Sequence, residues 1–145
     1  KADWDAIKNL NDYLDIEVVG NGDIFTPEDA LEMMEYTGVS SVAIARGAMG
    51  NPFIFKEIKD LIEFGSYEKP DIDVIVDTIL KHYNRLVAFK GERIAVNEMR
   101  KHIAWYLKGL RGSNQLKNEV NLTKNIDEVF KLLDDFRKDV KNHAD

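Results

Sequence analysis

Two short apolar runs constrain the fold of this chain more than any other feature, because each is followed by a glycine-containing turn and the start of a helix. The first run, residues 16–20, leads into Asn-Gly-Asp, and the second, residues 42–45, leads into Arg-Gly. Such short runs, rich in β-branched residues, predict buried strands. Because a helical segment at 27–36 connects them, the two strands are expected to be parallel neighbours in a βαβ unit.

Local signals mark both ends of the connecting helix. Thr26 is a favourable N-cap, Pro27 suits the first helical position, and Asp29 occupies the place of the acidic residue in a capping box. Gly38 lies two residues after the predicted last helical residue and predicts a left-handed C-cap region. Further helices are expected at 3–14 and 51–64, so the first half of the chain is predicted to run αβαβα.

The pattern changes after residue 65. The segment FGSYEKPD, which includes Pro70, is typical of a linker, and no strand pattern follows it. Helices are expected at 71–89, 92–110 and 125–141, with a short helical turn at 113–119. We therefore predict an α/β region at 1–65, followed by an all-α bundle domain at 66–145.

Length and composition limit the class of protein. The chain has 145 residues and no cysteine, which excludes disulfides, thiolate zinc sites and a thiol nucleophile within it. No apolar run reaches the roughly 18 residues of a membrane span, and cytoplasm is the expected location. The chain starts without Met, and two parallel strands do not form a stable sheet alone. We therefore expect a fragment whose missing strands lie upstream.

The two glycine turns are expected to lie at the same edge of the parallel sheet. There the backbone of Asn21, Gly22 and Asp23 and that of Gly47 can approach a ligand, while Arg46 supplies a cation. Helices begin just beyond both turns, so their free N–H groups favour an anion, as in the phosphate sites that follow the last two strands of (β/α)8 barrels. The alternatives are that the glycines only permit tight loops, that Asp23 caps its own turn, and that Arg46 forms a surface salt bridge.

Charge is strongly segregated along the chain. The net charge is -6, yet residues 81–117 contain 9 Lys/Arg and only 2 Asp/Glu. On a helical wheel for residues 92–110 and the turn after them, an apolar stripe lies beside a basic sector of about 100°. The members of this sector are Arg93, Arg100, Lys101, Lys108 and Arg111. Mutual repulsion of these cations favours a polyanionic partner such as nucleic acid; the alternative is a solvated lysine-rich face.

The histidines give no metal signal. His102 lies outside the basic sector near Trp105, where stacking or hydrogen bonding is one interpretation and a packed surface histidine is the other. His82 and His143 have no partner at metal-ligand spacing. We predict no metal site in this chain.

Two quoted segments resemble the C-terminal half of bacterial tRNA-dihydrouridine synthases. They are GNGDIFTPEDALEMMEYTGVSSVAIARGAMGNPFIF and EMRKHIAWYLKGLRGSNQLKNEVN. The resemblance implies the last two βα units of an FMN-binding (β/α)8 barrel, followed by a helical tRNA-binding domain. It places the FMN phosphate against Asn21, Gly22 and Asp23 and against Ala45 and Arg46, where Ala45 replaces the usual glycine.

The same resemblance implies the reaction. NADPH-driven reduction of uridine C5–C6 in tRNA uses reduced FMN and a catalytic cysteine that lies upstream, so no catalytic residue is expected in this fragment, which is expected to be inactive alone. Arg100, Lys101 and His102 of the MRKH segment are implied in tRNA contact, and Arg111 stands where proline is common. Two alternatives remain open: another FMN barrel enzyme acting on a small molecule, and a non-catalytic helical RNA-binding module.

Overall fold

The computed structural model describes residues 1–143 of the chain. The chain divides into two compact units, Lys1–Lys69 and Pro70–Asp145. The structure is mostly helical, with one small parallel sheet in the first unit. The assignment of these units to the two functional domains predicted at 1–65 and 66–145 stays a prediction.

The first unit follows the predicted αβαβα order. Its elements are α1 (Trp4–Tyr13), β1 (Val19–Asn21), α2 (Pro27–Thr37), β2 (Ser41–Ala43), a 3-10 turn (Arg46–Ala48) and α3 (Ile54–Phe64). The capping box forms as expected, since the Thr26 hydroxyl accepts from Asp29 N at 3.1 Å and the Asp29 carboxylate accepts from Thr26 N at 2.8 Å. Gly38 ends α2 at φ 75°, in the left-handed region.

The two strands pair in parallel, with Val19 opposite Ser41, Gly20 opposite Val42 and Asn21 opposite Ala43. Each strand has three residues, which is shorter than the apolar runs that predicted them. The expectation of buried strands is wrong in part, because Val19 is 54% exposed and Ala43 is exposed as well. The apolar core of this unit, formed around Ile24, Met33 and Ile54, covers only one side of the small sheet.

The described part of the second unit consists of four helices. They are α4 (Ile72–Lys90), α5 (Glu92–Tyr106), α6 (Ser113–Leu122) and α7 (Ile126–Asn142). All four contribute to one core, for example through Ile79, Met99, Leu116 and Leu133. α5 and α6 depart from the predicted bounds. α5 ends at Tyr106, four residues early: Leu107 is its C-cap at φ -91° and ψ 7°, and Gly109 at φ 86° prevents the helix from continuing to residue 110. α6 is a full helix of 10 residues, where only a short turn was expected.

Two further findings concern the described residues 1–143 alone. None of their helices is both long enough and apolar enough to cross a lipid bilayer. No group of three or more potential metal-ligating side chains comes together among them.

Candidate functional site

The carboxyl ends of β1 and β2 bring the two glycine turns together. Asn21, the last residue of β1, donates its side-chain N–H to the carbonyl oxygen of Ala43, the last residue of β2, at 2.7 Å. This bond ties the turns to each other beyond the end of the sheet. Between them lies a cleft of about 310 Å³.

All six residues predicted for a phosphate site line this cleft. They are Asn21, Gly22, Asp23, Ala45, Arg46 and Gly47. The structure therefore brings together residues that are up to 26 positions apart in the sequence. Their role in binding a ligand stays a prediction.

Glycine is required at Gly47 because of a close backbone approach. A Cβ added there would lie 2.1 Å from the carbonyl oxygen of Ile24 and 3.1 Å from Cα of Phe25. Gly22 has a different requirement, since its φ of 141° lies in the region that glycine favours. The two turns can therefore pack backbone against backbone and leave the cleft open.

Asp23 and Arg46 form the charged pair of the cleft. Arg46 Nη2 donates to Asp23 Oδ1 at 3.3 Å, and Asp23 Oδ2 also accepts from Ala2 N at 2.7 Å. These two contacts connect Asp23 to the segment before α1 and to the Arg46 side chain, so the carboxylate helps to orient Arg46. Asp23 itself has a positive φ of 55°, which a short polar residue tolerates. Of the two local alternatives considered from the sequence, the salt bridge of Arg46 is present, whereas no hydrogen bond of the Asp23 side chain within its own turn is found among residues 1–143.

This salt bridge leaves most of the Arg46 guanidinium free. Its side chain is 74% exposed and lies over the ring of Phe25, with 5.5 Å from Cζ to the ring centroid. Arginine has five N–H donors, and the contact with Asp23 uses one of them. The remaining donors are available to an anion in the cleft.

Position 45, where the resemblance implies glycine, does not need the positive φ that favours glycine. Ala45 has φ -101° and ψ -97°. The first hydrogen bond of the 3-10 turn runs from Ala48 N to Ala45 O at 3.2 Å, so the N–H groups of Arg46 and Gly47 precede it and have no partner within the turn. Such N–H groups are suitable donors to an anion.

The basic residues of the second unit differ in their surroundings. Four of the predicted RNA contacts are exposed and make no ion pair with any acid among residues 1–143: Arg93, Lys101, Lys108 and Arg111. On α7, three of the four cations are paired with acids, for example Lys141 with Asp73 at 2.5 Å, whereas Lys131 makes no ion pair among residues 1–143. Exposed cations without an acidic partner, concentrated in one segment of the sequence, are compatible with a surface for a polyanion.

Arg100 does not lie on a free basic face, which corrects the helical-wheel interpretation. Its Nη2 donates to the carbonyl oxygen of Thr123 at 3.0 Å, at the end of α6. Its Nε is buried and has no hydrogen-bond partner within residues 1–143. Arg100 therefore connects α5 to the turn between α6 and α7, and its replacement would disturb the packing of the helices.

Lys108 and Arg111 do not lie on the continuous helix that the helical wheel assumed. Because α5 ends at Tyr106, both residues lie in the turn that leads to α6 rather than on the helix. They remain exposed cations close to α5 in the sequence, but the single basic sector on one continuous helix does not exist.

The aromatic cluster that His102 forms with Trp105 and His82 was not predicted from the sequence. The ring of His102 contacts Trp105 at 5.1 Å between centroids and His82 of α4 at 4.8 Å. Burial lowers the pKa of both histidines, and their proximity lowers the pKa of His102 further. The spacing of His102 and Trp105 on one helix was visible in the sequence. The contact with His82 depends on how α4 and α5 align, which the sequence pattern does not reveal.

Comparison with known proteins gives one consistent result. The family model described as dihydrouridine synthase matches residues 1–144. The chain is 38% identical over 134 residues to a probable tRNA-dihydrouridine synthase of Mycobacterium leprae, covering 91% of this chain and 35% of the relative. It is 33% identical over 138 residues to tRNA-dihydrouridine synthase B of Vibrio cholerae, covering 94% and 42%. The chain thus spans about two fifths of the length of such relatives.

Proposed function

The chain belongs to the dihydrouridine synthase family, and we propose that it is the C-terminal part of a flavin-dependent tRNA-dihydrouridine synthase. Such an enzyme reduces uridine to dihydrouridine in tRNA. The observation that carries the proposal is that one family model covers both the cleft of the first unit and the basic segment of the second. A small-molecule flavoenzyme would give no reason for the basic segment, and an RNA-binding module would give none for the cleft.

We assign α1 to α3, with β1 and β2, to the last two βα units of a (β/α)8 barrel. The partly exposed strands support this assignment, since the open edge and face of a two-stranded sheet are suited to further strands. The helical bundle of α4 to α7 is then the tRNA-binding domain. The chain spans 35–42% of its relatives, so the rest of the barrel and the catalytic cysteine belong to the part outside this chain.

The cleft residues fit the phosphate of FMN. Gly47 allows the two turns to touch, the N–H groups of Arg46 and Gly47 are free within their turn, and the Arg46 guanidinium is largely exposed. In this assignment Arg46 binds the phosphate, Asp23 orients Arg46, and Asn21 holds the turns at a fixed distance. A bound FMN, reduced by NADPH, would supply the hydride for reduction of the uridine C5–C6 bond.

The isolated chain should hold FMN only weakly. Charge-assisted hydrogen bonds to a phosphate contribute about 1.5–3 kcal/mol each before the cost of association is subtracted. The flavin ring would need residues from strands that this chain does not contain. We therefore expect the purified chain to be colourless, and a yellow chain with near one flavin per protein would contradict the assignment of the ring contacts.

The exposed cations of the second unit fit the phosphates of tRNA. Arg93, Lys101, Lys108 and Arg111 are available as contacts, and we assign to Arg100 the role of holding the helices that present them. The proposed substrate places the protein in the cytoplasm.

The test is formation of dihydrouridine by the complete protein. An unmodified tRNA transcript is incubated with the complete protein, FMN and NADPH, and its nucleosides are measured by mass spectrometry. We expect dihydrouridine that depends on both NADPH and the protein. Oxidation of NADPH without any dihydrouridine would show that the protein is a flavoenzyme with another substrate.

A further inference from the structure

A cluster of four rings lies along the contact between α4 and α5. His82 comes from α4, and His102, Trp105 and Tyr106 come from α5. The planes of His102 and Trp105 are 86° apart, and the Tyr106 hydroxyl lies 3.4 Å from Nδ1 of His82. Tyr106 packs against the core of the second unit, whereas Trp105 is only partly exposed and does not belong to that core.

The charges around this cluster favour an RNA ligand. Glu98, one turn before His102, is neutralised by Lys90 at 2.9 Å. Lys101 is exposed, lies one turn before Trp105, and makes no ion pair among residues 1–143. Burial lowers the pKa of His82 and of His102, which favours the uncharged form of both rings. An apolar aromatic surface therefore lies beside a free cation.

The geometry leaves ring surface available. The ring planes of His102 and Trp105 are 86° apart and those of His102 and His82 are 62° apart, so none of these pairs stacks face to face, and both His102 and Trp105 keep part of their surface exposed. Unpaired bases in RNA stack on aromatic side chains of this kind, and a lysine beside them contacts the phosphate of the same strand.

We propose that Trp105 and His102 form a stacking platform for one unpaired base of the bound RNA, with Lys101 at the adjoining phosphate. This proposal rests on the proposed binding of tRNA and adds to it a contact with a base. It implies that the helical unit recognises a loop or an unstacked nucleotide in addition to the phosphate backbone.

The first experiment measures the affinity of the 145-residue chain for an unmodified tRNA transcript at several salt concentrations. We expect Trp105→Ala and Trp105→Leu to weaken binding about tenfold to a hundredfold with an unchanged salt slope, because stacking releases no counterions. Trp105→Phe should retain most of the affinity. Lys101→Glu should weaken binding and also reduce the salt slope by about 1 or more. Lys131→Glu on α7 has the same change of charge at an exposed position and should have little effect.

The second experiment needs no change at the platform. A Trp4→Phe variant leaves Trp105 as the only tryptophan, and its fluorescence is followed during titration with oligouridine and with a fully paired RNA duplex at low salt. We expect quenching by oligouridine and little quenching by the duplex.

The outcomes separate the two proposals. If Trp105→Leu binds tRNA as the native chain does, or if saturating oligouridine leaves the fluorescence unchanged, the stacking platform is wrong while tRNA binding through Lys101 stands. If the native chain binds no tRNA even at low salt, both the platform and the tRNA-binding role of this chain are contradicted. A loss of affinity in Trp105→Ala that is absent in Trp105→Leu would indicate a packing role and would also overturn the platform.

Discussion

Replacement of Gly47 by alanine is the sharpest test of how the cleft is built. The added Cβ would lie 2.1 Å from the Ile24 carbonyl oxygen, whereas ordinary contacts between carbon and oxygen begin at about 3.3 Å. The turn that carries Arg46 must therefore move by about 1 Å. Overpacking costs about 1–3 kcal/mol, and the upper end applies here because the obstructing atoms are backbone and cannot rotate away.

The loss of stability in the first unit can be measured by the fluorescence of Trp4 during thermal unfolding. Its indole N–H donates to the carbonyl oxygen of Gly22 at 3.2 Å, so in a Trp105→Phe background its fluorescence reports on the first unit alone. For a unit of this size, each kcal/mol lowers the melting temperature by about 4–8 °C. We expect Gly47→Ala to lower the melting temperature of the first unit by about 12–24 °C.

Gly65→Ala is the matched control. No atom lies within 4 Å of the added Cβ at Gly65, but its φ is 74°, so the change costs only the left-handed strain of about 1–2 kcal/mol. If Gly47→Ala destabilised the first unit no more than Gly65→Ala does, the close approach of the two turns would not be a real constraint on the cleft.

Three further changes test single contacts. Burial raises the pKa of Asp29, but hydrogen bonds from Phe25 N, Thr26 N and the Thr26 hydroxyl outweigh burial, so the pKa of Asp29 lies below its usual value. The carboxylate therefore stabilises the fold above about pH 4, and this stabilisation is lost as the pH falls through the lowered pKa. Asp29→Asn should therefore cost about 0.5–2 kcal/mol at pH 7 and much less at strongly acid pH, as measured by urea unfolding; an equal cost at both pH values would contradict the capping role. Arg100→Ala should destabilise the second unit by about 1–3 kcal/mol, because the hydrogen-bond donor to Thr123 O is lost. Lys101→Ala should change the free energy of unfolding by less than about 0.5 kcal/mol. Equal effects of the two substitutions would show that Arg100 lies on the open surface. Burial lowers the pKa of His82 and His102, so below about pH 6.5 the unfolded chain binds more protons than the folded chain, and the second unit should lose stability. A His82→Asn variant should lose less stability on acidification. Thermal unfolding at several pH values measures the stability of the native chain and of the variant.

Short-range chemistry made the first unit predictable. The capping box at Thr26 and Asp29, the C-cap at Gly38 and the order αβαβα all follow from signals within a few residues. The parallel pairing of the strands followed from their connection by a helix. The exposure of Val19 did not, because the strand pattern in the sequence carries no information on which neighbours are present to cover it.

The second unit shows where sequence reasoning ends. A helical wheel assumes one continuous helix, and the end of α5 at Tyr106 removed Lys108 and Arg111 from it. The wheel also treats every polar position as solvent-facing, whereas the turn after α6 lies close enough to accept a hydrogen bond from Arg100. Both errors arise from contacts between helices, which depend on tertiary packing rather than on local periodicity.

We propose that this chain serves two ligands of one reaction, flavin phosphate at the cleft and tRNA at the basic segment. The most direct measurement compares Arg46→Ala and Lys101→Glu in the complete protein, with Lys131→Glu as the control, by flavin content and by the KM for tRNA in dihydrouridine formation. We expect Arg46→Ala to lower flavin occupancy with little change in the KM for tRNA, and Lys101→Glu to raise that KM with full flavin occupancy. Unchanged flavin occupancy in Arg46→Ala together with an unchanged KM in Lys101→Glu would contradict the account.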